Sequence, residues 1–475
     1  MWFNTYTFAA FLAAVFGAYW VLPPRGRQLF LLAASYVFYC WKTPVYGILL
    51  VVSTVLDYAC GLGLERTERP AARRGILLCS LVGNLGLLFF FKYADFLGGN
   101  LAGIGQLLGF DTNWKPFDFL LPAGISFYTF QTMSYTLEVY RRQIKACREP
   151  VSFALYVAYF PQLVAGPIER ADHLLPQLQK TQTFCWDNVI AGGGRILLGL
   201  FRKMVVADRL AILVDRVFAH PDDYSTATWW VALFAFALQV YFDFAGYSDI
   251  AIGSARLFGV RLAENFRRPL MARSVADFWD RWHLTLTAWL RENVFYPMGG
   301  SRRGRARTAF NIWVLFLLCG LWHGASWNFV IWGAYYALFN SLYYLWRQWR
   351  PRPEGGPSGA APGLGGLACI GATNLVIALA ASLFRAQDLA ATGRVWRALL
   401  GFHGGAGLAT EWDVWVLAAL MGLVFLVEYL QEYRGLDDCF RRRPPWQKAI
   451  GWFLLVLALV FLSVSNQKPY VYFQF

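Results

Sequence analysis

The sequence predicts an all-α integral membrane protein of about 11–12 transmembrane helices, with re-entrant and interfacial helices among them. Three observations predict it. Of 475 residues, 57% are hydrophobic, 18% aromatic and only 15% charged, too little polar surface for a soluble chain of this length. The apolar residues run in long charge-free stretches, not amphipathic stripes. The basic residues gather in the short connections between those stretches, as cytoplasmic loops do.

The elements follow in chain order. Residues 5–22 form a first apolar run with no basic residue before it, while Arg25 and Arg27 follow it. A cleavable leader shows the reverse order, so this span is expected to stay, with the N-terminus outside. Residues 28–41 are short for a crossing and call for local thinning or tilt. Residues 45–64 and 76–91 then cross into and back out of the inner side at the 65–74 basic segment, leaving 98–117 outside and 141–150 inside. Residues 151–178 are apolar but interrupted by Pro161, Gly166, Pro167 and Pro176. That pattern fits a re-entrant element, since irregular backbone at membrane depth needs protein or a water-filled cavity around it. Residues 190–217 and 228–257 read as an out-and-back pair, the second interrupted at Gly246 and Ser248. Over 275–296, Phe278, Trp282, Leu286, Trp289 and Leu290 share one helical face, the signature of an interfacial helix. A further pair turns near 323–327. The Pro/Gly-rich stretch 351–366 is expected to be a flexible cytoplasmic linker. It separates a core, 1–350, from a C-terminal extension, 367–475, whose aromatic tail should lie outside with the N-terminus.

Composition also excludes. The net charge of +14 is spread over loops and forms no compact basic face with stacking aromatics, which argues against nucleic acid. The eight cysteines show no CxxC pair and no metal-ligand spacing, so no metal is expected. No phosphate loop, GxSxG elbow or HExxH helix is present.

Ionisable groups at membrane depth are costly, and each is a functional candidate. His323 stands in GLWHGASWNF, where Gly320, Gly324 and Ala325 permit close backbone approach and Trp322 and Trp327 are bulky walls. Its imidazole can take a proton from an attacking hydroxyl and return it; the bland alternative is an inert interfacial histidine. His283 lies on the predicted interfacial helix, where histidines are common anchors. Asp243 and Asp249, in YFDFAGYSDIAIG, can orient a histidine, pair with Arg256 or Arg268, or cap a broken helix. Gln162 sits beside helix breakers as a tunnel-lining or orienting candidate, and Asn328 is another, a candidate donor to the developing oxyanion. His173, His220 and His403 read as surface residues.

The motifs PAGISFYTFQTMSY, YFPQLVAGPIER, QVYFDFAGYSDIAIG, ENFRRP, DFWDRWHLTLTAWLRENVFYPMGG, GLWHGASWNFVIWG and the final YVYFQF together resemble one family. It is the bacterial branch of the membrane-bound O-acyltransferases, nearest the membrane subunits of alginate O-acetyltransferase. The resemblance implies helices around a thin centre pierced by a tunnel, with catalytic His323 and a second tunnel histidine, His283. It implies a bacterial inner-membrane enzyme with no bound cofactor that takes acetyl groups from cytoplasmic acetyl-CoA for O-acetylation of an extracytoplasmic polysaccharide. The expected partner is an extracytoplasmic SGNH-like serine transferase, and membrane lipid surrounds the chain. D-alanyl transfer to teichoic acid-type polymers is the nearest alternative, and a transporter or flippase the alternative from another class. Tyr472 is an interfacial anchor or an acyl relay: a phenol of pKa about 10 is a better leaving group than an alcohol.

Overall fold

The computed structural model describes residues 1–117, 121–350, 361–401, 412–464 and 470–471. Every regular element among them is helical, as a chain that must satisfy its backbone within lipid requires. Five helices are long and apolar enough to cross a membrane: Tyr46–Arg66, Pro70–Lys92, Thr226–Leu257, Leu364–Arg385 and Pro445–Leu462, with Tyr6–Val21 a shorter apolar one. Pro445–Leu462 fully buries none of its residues, and Leu454, Val456, Val460 and Leu462 face out, where lipid is the matching solvent. Thr226–Leu257 is the opposite case, 72% buried over its most apolar window.

The chain divides into two compact units, residues 1–196 with 247–263, and residues 197–246 with 264–475. In the first, helices Tyr46–Arg66, Pro70–Lys92 and Ile125–Tyr140 share a fully buried carboxylate, Asp57. It accepts from Ser80 at 2.5 Å, Asn84 at 2.8 Å and Thr136 at 3.1 Å. These donors supply the partners that a buried acceptor needs.

The same unit explains two of the sequence motifs. Gly124 caps Ile125–Tyr140 at φ 77°, and a Cβ there would lie 2.8 Å from the Cα of Val164 and 2.9 Å from the carbonyl oxygen of Leu163. PAGIS is thus the turn on which PQLVAGP rests. Gln131 then donates to the Tyr156 carbonyl at 2.7 Å, and the Tyr156 hydroxyl returns a bond to the Gln131 carbonyl at 3.0 Å. Gly124→Ala is therefore expected to destabilise the unit by about 2–4 kcal/mol, the sum of a left-handed alanine and an overpacked backbone contact. Detergent unfolding of purified protein measures this, and a midpoint equal to the parent's refutes it.

Several expectations change. The stretch 151–178 is broken as predicted: helix Pro150–Ala158, a buried non-helical turn, then helix Ala171–Gln179. Thr226–Leu257, however, runs on through Gly246 and Ser248 without a break, so neither aspartate caps a broken helix. Gly246 serves packing instead, against the Gly199 carbonyl. Residues 94–107, expected in part as an outer loop, form a helix, Ala94–Leu107. The predicted interfacial helix over 275–296 is three pieces, Val275–Trp279, Leu284–Leu290 and a π-helical turn Arg291–Phe295. Of the linker, residues 351–360 lie outside the described residues, and helix Leu364–Arg385 takes up its last three positions. His403 and Tyr472 also lie outside the described residues.

Candidate active site around His323

The hairpin of helices Arg305–His323 and Trp327–Trp349 presents His323. Its two arms meet through glycine: a Cβ on Gly320 would strike the Phe329 carbonyl, and one on Gly333 the Phe316 carbonyl. Small residues let backbones approach this closely when no hydrophobic drive holds helices together. His323 is the last helical residue and 6% exposed. Its ring lies 5.0 Å from Trp322, 5.0 Å from Trp332, 5.3 Å from Phe384 and 6.4 Å from Phe329. The aromatic wall therefore differs from the predicted one. Trp322 belongs to it, whereas Trp327 is 53% exposed, and Trp332 and Phe384 fill the place expected of it. Helical periodicity explains the change: Trp332 sits five residues beyond Trp327, on another face of the same helix.

His283 is fully buried, at 0% exposure, and not an interfacial anchor. It precedes helix Leu284–Leu290 with φ 44°, ψ 54°. Only Arg142, Arg268 and His283 among the described non-glycine residues have positive φ. Such a conformation costs about 1–2 kcal/mol and persists where the surroundings over-determine it. Here they do. Asn265 accepts from the Thr285 N–H at 3.3 Å and the Thr285 hydroxyl at 3.0 Å, and its own carbonyl accepts from the Leu284 N–H at 2.9 Å. Its amide oxygen is thereby oriented and lies 3.2 Å from His283 Nδ1. A neutral imidazole that donates from Nδ1 carries its lone pair on Nε2. Asn265 was missed as a site residue in the sequence. Its signal was its place in the ENFRRP motif, a polar residue that fixes a histidine 18 positions on.

Trp322 joins the two histidines, with its ring 5.8 Å from His283 and 5.0 Å from His323. A cavity of about 50 Å³ opens against His323, lined by Trp279, Trp282, Trp332, Tyr336 and Phe384. A second cavity of about 230 Å³ shares Phe278, Trp282 and Ile377 with it and adds Tyr241, Asn374 and Phe425. A water molecule takes up about 30 Å³, so the space beside His323 suits a group of a few heavy atoms.

The remaining candidates go elsewhere. Asn328 is buried and donates to the Ala386 carbonyl at 2.7 Å, which ties its amide to helix Leu364–Arg385. Asp243 neither orients a histidine nor meets an arginine; Lys203 holds it at 2.5 Å. Asp249 pairs with Arg195 at 2.6 Å and not with Arg256. Gln162, in the first unit, bonds the carbonyls of Tyr156 and Val157 at 3.4 and 3.5 Å and so holds the turn after Pro150–Ala158. His173 is exposed, as expected, and also paired. Its Nδ1 meets the buried Glu169 carboxylate at 2.7 Å, and that bond raises its pKa above the usual imidazole value. His220 ends helix Asp208–Ala219 and is exposed, as expected.

Residues 147–384 match the model of the membrane-bound O-acyltransferase family. The chain is 33% identical to the probable alginate O-acetylase AlgI of Pseudomonas putida, over 98% of this chain and 98% of that one. It is 35% identical to a peptidoglycan O-acetyltransferase of Helicobacter pylori, over 72% of this chain and 70% of that one. A teichoic acid D-alanyltransferase of Bacillus subtilis is 26% identical over 61% of this chain and 73% of its own.

Proposed function

Since the chain belongs to the membrane-bound O-acyltransferase family, and is thus a multi-pass membrane acyltransferase, we propose that it moves acetyl groups from cytoplasmic acetyl-CoA for O-acetylation of an extracytoplasmic polysaccharide such as alginate. The observation that carries the reading is His323: a buried imidazole in an aromatic cage, facing a space that suits a two-carbon acyl group. Full-length similarity to an alginate O-acetylase supports polysaccharide over teichoic acid as the destination.

The reaction follows from the site. A hydroxyl attacks the thioester carbonyl while His323 takes its proton. The new C–O bond forms, the C–S bond breaks, and the imidazolium returns the proton to the leaving thiolate. The surrounding indoles and phenyl rings keep water from competing with the hydroxyl. His283, its tautomer set by Asn265, orients the acyl group or acceptor through the shared Trp322 wall.

Both termini are placed outside in this reading, and stretch 351–363 inside. The hydroxyl that attacks first belongs to Tyr472, and a serine transferase of the SGNH-like type removes the acetyl from the phenol outside the membrane. Tyr472→Phe keeps the aromatic ring and removes only the oxygen. It is expected to lower polymer acetylation by about 100-fold or more, the scale of losing a covalent intermediate. Acetylation at the parent rate makes Tyr472 an anchor and ends the relay. Offering the purified protein acetyl-CoA against D-alanyl carrier protein separates acetyl from D-alanyl transfer: acetyl-CoA alone should be consumed.

A further inference from the structure

Deep in the second unit lies an ion cluster that the acyl-transfer chemistry leaves unused. Lys203 sits in a π-helical turn, Phe201–Ala207, between helices Trp186–Leu200 and Asp208–Ala219. Its ammonium is 2.5 Å from Asp243 Oδ1 and 2.9 Å from Asp208 Oδ1, and the three residues are 1%, 1% and 3% exposed. π-turns of this kind recur at functional sites, because the extra residue re-aims a side chain. Two carboxylates against one ammonium leave acceptor capacity to spare. The second Asp243 oxygen uses it on the chain's far end, accepting from the Val471 N–H at 2.8 Å. Lys203 also stands over the Tyr470 ring, 4.5 Å from its centroid, a favourable cation–π placement. Tyr470 and Val471 are 1% and 4% exposed.

The approach to this seat is built as well. Helix Pro445–Leu462 ends on the π-turn: Arg209 donates to the Leu462 carbonyl at 2.7 Å, and the Val464 N–H reaches the Met204 carbonyl at 3.4 Å. A tail that served only as an interfacial anchor would need neither a buried carboxylate nor a buried ammonium, both expensive at membrane depth.

We propose that Lys203 and Asp243 form a receptor for the chain's own C-terminal segment, recognising an aromatic ring followed by a free peptide N–H. They are positioning residues. Resting on the relay reading above, release of the seated segment is also expected to lower polymer acetylation.

Hydrogen exchange of the full-length protein in detergent, followed by mass spectrometry of its peptides, tests the seat. In the parent, the amide of Val471 should exchange slowly. Asp243→Ala should speed it by about 10- to 100-fold, the scale of a lost charge-assisted hydrogen bond, while peptides from Arg305–His323 keep their protection. Asp243→Asn, which retains an acceptor oxygen, should restore much of the protection. Should Asp243→Ala fail to fold, Tyr470→Ala, which leaves the ion cluster whole, should speed the same amide. Free exchange at Val471 in the parent, or unchanged protection in both alanine variants, overturns the proposal. Polymer acetylation measured on the same variants keeps the two readings apart: a released tail with normal acetylation leaves the receptor standing and removes the relay.

Discussion

Replacing His323 by alanine is expected to lower acyl transfer by about 100- to 10,000-fold, the range for loss of a general base, with insertion and yield unchanged. The separation of activity from folding rests on the cage. Trp322, Trp332, Phe329 and Phe384 surround the ring and also touch one another, with Phe329 5.0 Å and Trp332 5.9 Å from Phe384. They hold their places when the imidazole is gone. His323→Gln serves as the bulk-preserving control and should be as inactive as alanine, because an amide cannot carry the proton. The measurement is acetyl-polymer content in cells beside release of free CoA by purified protein. A stably inserted His323→Ala protein that acetylates at a near-normal rate would falsify the assignment. His283→Ala should lose less, since a positioning imidazole is farther from the bond changes than the base itself.

Lys203→Met is expected to be the most destabilising single change among the buried ion pairs described above, by about 3–5 kcal/mol, the cost of stripping the partner from a buried charge. Methionine nearly matches the stem in volume, so packing is preserved and the electrostatics alone change. Asp208 and Asp243, each nearly fully buried, are then left facing one another without the cation between them. The compensated variant Lys203→Met with Asp208→Asn and Asp243→Asn should recover most of the loss, since replacing a whole buried ion cluster by neutral groups is often close to neutral. Chemical unfolding in mild detergent reads both. A single variant as stable as the parent would mean that the cluster is solvated in ways its burial denies.

Much of the candidate site was legible in the sequence because the membrane makes polarity conspicuous. A histidine closing an apolar run between glycines is visible without any fold, and His323 was found that way. Its walls were less legible. Trp322, the adjacent residue, is against the ring as expected, but Trp332, nine positions on, lies there too, and Phe384 comes from a helix 61 positions further on. His283 shows a different limit. The apolar spacing of Phe278, Trp282, Leu286 and Trp289 suits one helix, but the Asn265 amide offers its oxygen to Thr285 and holds His283 in a left-handed conformation that breaks it. Local periodicity carries no trace of such a long-range hydrogen bond.

What the sequence by itself determined is the solvent and the element type. Long charge-free runs dictate helices in lipid, Gly320 and Gly324 permit close backbone approach beside His323, and the family motifs dictate the chemistry. What only the tertiary structure decided is which buried charge meets which. Asp243 finds Lys203 at a separation of 40 residues and the Val471 amide at 228, while Asp249, six residues from Asp243, pairs with Arg195 instead. The physical reason is that burial of a carboxylate fixes only that a partner must exist. The partner's identity depends on which backbone segments packing brings within about 3 Å, the reach of a hydrogen bond.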